Sequence, residues 1–195
     1  MTLLLGTTAA EPPAPVDCLL IGHGEERLHD VEARISKMGR DSCAYRSLAL
    51  EFVREDGRPR TFGDLLRDVH RRDPHLVAPV SFFDMFSATI GYLGTYLHRS
   101  GFSFDFVHSY RDEIDRLQEL LERGPRAVAI TTTYYLSPEM LIEVVARVRA
   151  SSPASLIIVG GPFIANQARA LDATSFEYLL REVAADVYVE SSQGE

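Results

Sequence analysis

From Leu76 onward, short apolar runs alternate with amphipathic stretches of roughly a dozen residues. That alternation limits the folds open to this chain more than any other feature. Phe102–His108, Ala127–Thr132, Leu156–Val159 and Asp186–Val189 read as strands. Between them, Asp112–Arg123 reads as a helix closed by Gly124-Pro125. A second begins at Ser137-Pro138-Glu139 and runs to Arg149. A third covers roughly Ser175–Val183. Ser137 offers a cap and Pro138 a first-turn residue that needs no amide partner. Upstream, Ser87–Ser100 has Ile90, Leu93, Gly94 and Leu97 on one helical face and ends at Gly101. The run Leu76–Phe83 fits a strand or a loop lining a pocket.

Asp17–Gly22 is another apolar run, of the kind buried parallel strands show. With it the strands number five, and βαβ repetition implies right-handed crossovers. The expected class is α/β: a flavodoxin-like (Rossmann-like), doubly wound, five-stranded parallel sheet with an insertion or N-terminal subdomain. Residues 1–16 contain Glu11-Pro12-Pro13-Ala14-Pro15 and read as a disordered leader. Residues 17–195 form the domain, with 25–74 as the insertion. Within it, 28–38 has helical spacing, 62–70 reads as a short amphipathic helix, and Asp56-Gly57 marks a hairpin turn.

Composition excludes several function classes. The net charge is -8, where nucleic-acid binders concentrate basic residues, so no nucleic-acid partner is expected. No apolar run approaches the roughly 20 residues that span a bilayer, and the start lacks a basic n-region, so a cytoplasmic protein without a membrane partner is expected. Cys18 and Cys43 make neither a disulfide framework nor a zinc site, and Cys18 falls in a strand where a buried, inert thiol is expected.

In a parallel sheet, ligands bind beyond the carboxyl ends of the strands, at the topological switch point. Five segments lie there: Gly22-His23-Gly24, Ser81–Ser87, Thr131–Tyr135, Gly160–Phe163 and Glu190–Glu195. They carry hydroxyls, bare backbone and aromatic faces, and little charge apart from the terminal glutamates. Such an edge suits a large, mostly neutral ligand better than a nucleoside triphosphate. Gly22-His23-Gly24 is not a full dinucleotide fingerprint, because Arg27 stands where the third glycine is needed, and Lys37 is in no phosphate loop. Gly160-Gly161 also fits a plain strand-to-helix turn, and Thr131–Thr133 also fits a plain strand end.

The order of these segments resembles the cobalamin-binding domain that precedes a radical S-adenosylmethionine catalytic domain. Ile90-Gly91-Tyr92-Leu93-Gly94-Thr95-Tyr96-Leu97 is similar to that family's helix before a glycine and a strand. Ile130-Thr131-Thr132-Thr133, then a proline-headed helix, then Ile157-Ile158-Val159-Gly160-Gly161-Pro162, follow in the family's order. Ala185–Glu195 resembles its closing segment, with Ser191-Ser192-Gln193-Gly194-Glu195 in place of Gly-Glu-Gly-Glu. That departure, with Ala44-Tyr45-Arg46 and Gly161–Gln167, resembles the phosphinate P-methyltransferase subgroup.

The resemblance implies cobalamin as cofactor and a catalytic radical SAM domain after residue 195. That domain would hold a 4Fe-4S cluster and S-adenosylmethionine and act on a small-molecule substrate. The two separated cysteines here cannot supply the three thiolates such a cluster needs. No catalytic residue and no metal ligand is expected in this chain. Phe82, Phe83, Met85 and Phe86 would lie under the corrin or else form core of the crossover. Ser87, Thr131, Thr132, Thr133, Tyr134, Gly160, Gly161, Pro162, Phe163, Gln193, Gly194 and Glu195 would line the cofactor's rim and tail. The Asp-x-His-x-x-Gly motif of histidine-ligated cobalamin proteins is absent, and Asp105-Phe106-Val107-His108 has the wrong spacing. Methylcobalamin would then be held base-off, for methyl transfer to a substrate radical. A flavin- or nucleotide-binding module and a non-catalytic interaction domain are the other classes left open.

Overall fold

In a computed structural model, the structure describes residues 14–24, 33, 35–39, 41–43, 45–46, 53–60, 65, 68–69, 71–73, 75, 87–135 and 137–190. Phe82, Phe83, Met85, Phe86, Gln193, Gly194 and Glu195 lie outside them. So do the run Leu76–Phe83 and most of the helices expected over 28–38 and 62–70.

Five strands form one all-parallel sheet in the order β4-β1-β5-β6-β7: β1 Cys18–His23, β4 Phe104–Ser109, β5 Ala127–Thr131, β6 Leu156–Gly160 and β7 Val187–Val189. The helices are α1 Ala88–Arg99, α2 Ile114–Glu122, α3 Pro138–Ser151, α4 Pro162–Ala170 and α5 Ala173–Val183. The flavodoxin-like doubly wound fold read from the sequence is the observed one. A separate hairpin pairs β2 Val53–Glu55 with β3 Arg58–Arg60. Its turn is Asp56-Gly57, with φ of 52° and 76°. Two successive positive φ values make the type I′ geometry that Asp-Gly favours.

The strands alternate at period two, so each presents side chains to two faces. Leu19, Ile21, Val107, Val128, Ile130, Ile157 and Val159 turn to one face and join the core under α2, α3, α4 and α5. Cys18 and Leu20 turn to the other, against Ile90 of α1, with Leu93, Leu97, Phe104 and Phe106 packed around them. Among the described residues α1 is the one helix on that second face, and Leu156, Val187 and Val189 remain exposed there. Close seating of α1 requires Gly94: a Cβ at that position would stand 2.6 Å from the Phe104 ring. Gly94 on the inner face, legible from helical spacing, is thus a contact between backbone and aromatic ring.

One element departs from the sequence reading. Residues 162–170, given no element in the sequence reading, form α4 directly after the Gly160-Gly161 turn. Pro162 occupies its first turn, where a fixed φ and a missing amide favour initiation. Phe163, Ile164 and Ala165 are buried against the core. Among the described residues, no helix is long and apolar enough to cross a membrane.

Candidate functional site

The switch point lies between β1 and β5. From β1 the chain passes through α1 to β4 on one side, while β5, β6 and β7 build outward on the other. The carboxyl ends therefore splay apart beside His23, Gly24 and Thr131–Tyr135.

His23, the last residue of β1, is 3% exposed. Its ring meets His108 edge-on at 4.9 Å between centroids, and Tyr134 edge-on at 6.1 Å. Tyr134, 39% exposed, is the solvent-facing member of this group. Thr133 reaches across to α1, with its Oγ1 3.4 Å from Thr89 Oγ1. Ser87 caps α1 by accepting from the Ile90 amide at 3.4 Å. The structure thus brings Ser87, Thr133 and Tyr134 to one rim with His23 and His108.

Thr131, Thr132, Gly160, Gly161 and Phe163 have contacts within the protein that account for them. Thr131 Oγ1 donates to the Ile21 carbonyl at 3.2 Å. Thr132 Oγ1 donates to the Gly160 carbonyl at 2.9 Å, beside its own amide at 2.8 Å. Of the three threonine hydroxyls, the one left facing the rim is that of Thr133. Gly161 has φ of 114°, and a Cβ there would stand 3.0 Å from Thr132 Oγ1. At Gly160 a Cβ would meet the Val189 side chain at 2.9 Å. The fold requires both glycines, whether or not a ligand backbone approaches them. Phe163, expected on the rim, is a core residue, because the first turn of α4 points its apolar side inward.

Carboxylates at the end of β4 are drawn to the backbone. Glu113 accepts from the amides of His108 and Ser109, and Asp112 accepts from Ser109 Oγ at 2.9 Å. Segments 22–24, 131–135 and 160–163 contain no lysine or arginine. Among the described residues, no three His, Cys, Asp or Glu side chains gather as a metal-holding group.

Two buried tyrosines border the same crevice. Tyr110, 1% exposed, follows β4 with its amide on the His23 carbonyl. Its hydroxyl donates to Glu143 at 3.0 Å and accepts from Arg147 Nε at 2.8 Å. Tyr135, 4% exposed, has a hydroxyl with no hydrogen-bond partner among the described residues. A buried polar group left this way costs about 1–3 kcal/mol. Burial, first of all, pushes the ionisation of the Tyr135 phenol far above its ordinary value, so it remains a neutral O–H donor. Sequence reasoning placed Tyr135 and His23 on the carboxyl-end segments but gave neither a role. The repeated tyrosine of 134–135 was a signal, but only packing separates the outward ring from the inward one.

A cleft of about 330 Å³ opens at the opposite, amino-terminal edge, on the single-helix face. Leu97, Phe102, Ala127, Leu156 and Ile158 line it, with Cys18 at its base and Asp17 and Arg126 at its mouth. Asp17 and Arg126 pair with each other at 3.0 Å, and Asp17 also accepts from the Ser103 amide and hydroxyl. Burial pushes the Cys18 thiol up to about 11. Among the described residues, this cleft offers no convergent polar group free to orient a ligand. The carboxyl edge is the better candidate, because parallel-sheet topology and buried polar side chains coincide there.

Sheet order and the splayed carboxyl edge define a flavodoxin-like α/β domain. No family model, curated protein or solved structure matches the chain.

Proposed function

We propose that this chain is a cobalamin-binding domain of a radical SAM methyltransferase, holding the cofactor base-off at the carboxyl edge. The observation that carries this reading is positional. The hydroxyl, Gly-Gly-Pro and histidine-glycine segments sit on consecutive strand ends of one parallel sheet, around the switch point. The glycine-bearing helix of the same ordered set is α1, seated on Phe104. At the ends of β1, β5 and β6, segments 22–24, 131–135 and 160–163 carry hydroxyl, imidazole and phenol groups and no lysine or arginine. That chemistry fits a wide, amide-bearing, largely neutral cofactor better than a triphosphate.

Bound methylcobalamin would supply the methyl group, and the chain's own residues would position it. Thr133, Ser87 and Tyr134 would contact its edge. His23 and His108, with their rings against each other, would stay off the cobalt. The phosphinate P-methyltransferase subgroup is the finer form of the same proposal.

Titration with hydroxocobalamin, followed by visible absorbance, tests it. A saturable spectral change is expected. Electron paramagnetic resonance of the cob(II)alamin form should lack nitrogen superhyperfine splitting from the protein. Splitting that vanishes in His23→Ala or His108→Ala would overturn the base-off arrangement without histidine. Absence of any spectral change, with quenching of flavin mononucleotide fluorescence instead, would favour the flavin reading. The interaction-domain reading draws on the exposed Leu156, Val187 and Val189 face, and it expects neither signal.

A further inference from the structure

We infer that the Tyr135 hydroxyl is a hydrogen-bond donor held for an oxygen acceptor of the ligand in the carboxyl-edge crevice, either a phosphate oxygen of a nucleotide tail or an amide carbonyl of a corrin rim. This rests on the cobalamin reading. Three observations carry it. The hydroxyl is buried and has no partner among the described residues. It lies beside the switch point: a Cβ built on Gly24, the residue after β1, would stand 3.1 Å from Tyr135 Cζ, which bears the hydroxyl. And the ring belongs to the same apolar core cluster as Met140, close to Gly24, where a phenylalanine ring would fill the same space.

Tyr110 supplies the contrast. It is as deeply buried and borders the same crevice, yet its hydroxyl is held by Glu143 and Arg147. A phenol serving structure is saturated inside the protein. One serving a ligand is saturated only when the ligand arrives, and the free protein carries the cost of its burial. Since burial keeps the phenol protonated, it donates rather than accepts.

Tyr135→Phe in the full chain tests the assignment, with Tyr110→Phe beside it. Melting of the free proteins is followed by circular dichroism. Affinity is measured for hydroxocobalamin and for dicyanocobinamide, which lacks the nucleotide tail. The expected result is a melting temperature for Tyr135→Phe equal to or above wild type, and a lower one for Tyr110→Phe. The hydroxocobalamin dissociation constant of Tyr135→Phe should rise about 3- to 10-fold, the size of one hydrogen bond. If the loss is confined to hydroxocobalamin, the acceptor is in the tail. If cobinamide loses equally, the acceptor is a corrin amide. A lowered melting temperature for Tyr135→Phe would overturn the inference, since the hydroxyl would then have a protein partner. Unchanged affinity for both corrinoids would also overturn it and leave the cobalamin reading standing. A wild type that binds neither corrinoid would overturn both.

Discussion

The two edges of one sheet treat their polar groups in opposite ways. At the amino edge Asp17 ties β1 to Ser103, before β4, and to Arg126, before β5. Asp186 ties β7 to the Ile157 amide at 2.7 Å and to Arg149 at 2.8 Å. Ser152, Ser155 and the Pro125 carbonyl close the turn before β6. At the carboxyl edge the hydroxyls of Thr131 and Thr132 are tied down in the same manner, but Tyr134 faces solvent and the buried Tyr135 hydroxyl has no hydrogen-bond partner among the described residues. An edge that only holds strands together ties most of its polar groups to one another; Arg123 Nε, buried there without a hydrogen-bond partner among the described residues, is the exception. An edge that meets a ligand keeps some in reserve, at a cost to stability.

The largest effect that could break this comparison is expected at Gly161. With φ of 114° and Thr132 Oγ1 3.0 Å from its Cβ position, Gly161→Val strains the backbone and displaces Thr132. Such strain is worth roughly 1–3 kcal/mol, and urea denaturation should show it directly. The carboxyl edge then contains a structural joint as well as a ligand rim. Loss of cobalamin binding in this variant would be uninformative about a tail contact unless the folded fraction is measured with it. A denaturation midpoint equal to wild type would place Gly161 among residues kept for the ligand instead.

The sheet was legible in the sequence because parallel strands buried on both faces are continuous apolar runs. Asp17–Gly22 and Leu156–Val159 fell within a residue or so of β1 and β6. α4 was not, because Gly160-Gly161-Pro162 satisfies the rules for a turn and for a helix start together, and only Phe163–Ala165 packing decides. The site was less legible for a related reason. After Thr131 the chain leaves strand periodicity, so no rule says that Tyr134 points out while Tyr135 points in. Phe163 looked like an aromatic rim residue beside a glycine pair, and the helix it heads turned it into core. His23 was read as part of a glycine pattern, although the end of β1 places its ring against His108 and Tyr134.

A smaller effect sharpens the other half of the comparison. Hydrogen bonds from the Ser103 amide, then its hydroxyl, then Arg126 hold the Asp17 carboxyl below its ordinary value. The Ile157 amide, then Arg149, does the same for Asp186. A carboxyl whose folded pKa is depressed stabilises the fold above its unfolded pKa and loses that contribution as pH falls through the folded value. The contribution should therefore be present at neutral pH and decline below about pH 4, where unfolded carboxyls protonate. Urea midpoints of the wild type should drop between neutral pH and pH 3. The double variant Asp17→Asn, Asp186→Asn should start lower and drop less. Since both carboxylates are open to solvent, the change should be modest and partly screened by salt. A double variant with the wild-type slope would mean that these staples do not govern the amino edge.

The smallest effect concerns which edge a corrinoid reaches. Cys18 lines the amino-edge cleft, and burial raises its thiol to about 11, so at pH 8 little thiolate is present. Cys43 is exposed. Iodoacetamide should therefore alkylate Cys43 well before Cys18, since the thiolate is the attacking form and access adds to the difference. A Cys43→Ser variant isolates the slow reaction, read by mass spectrometry over hours. Saturating hydroxocobalamin at the carboxyl edge leaves the sheet's far end untouched, so the Cys18 rate should stay the same or fall only slightly through general stabilisation of the fold. Near-complete protection of Cys18 would instead put the ligand in the apolar amino-edge cleft. The tied polar groups of that edge would then be the walls of a site, and the contrast between the two edges would lose its functional meaning.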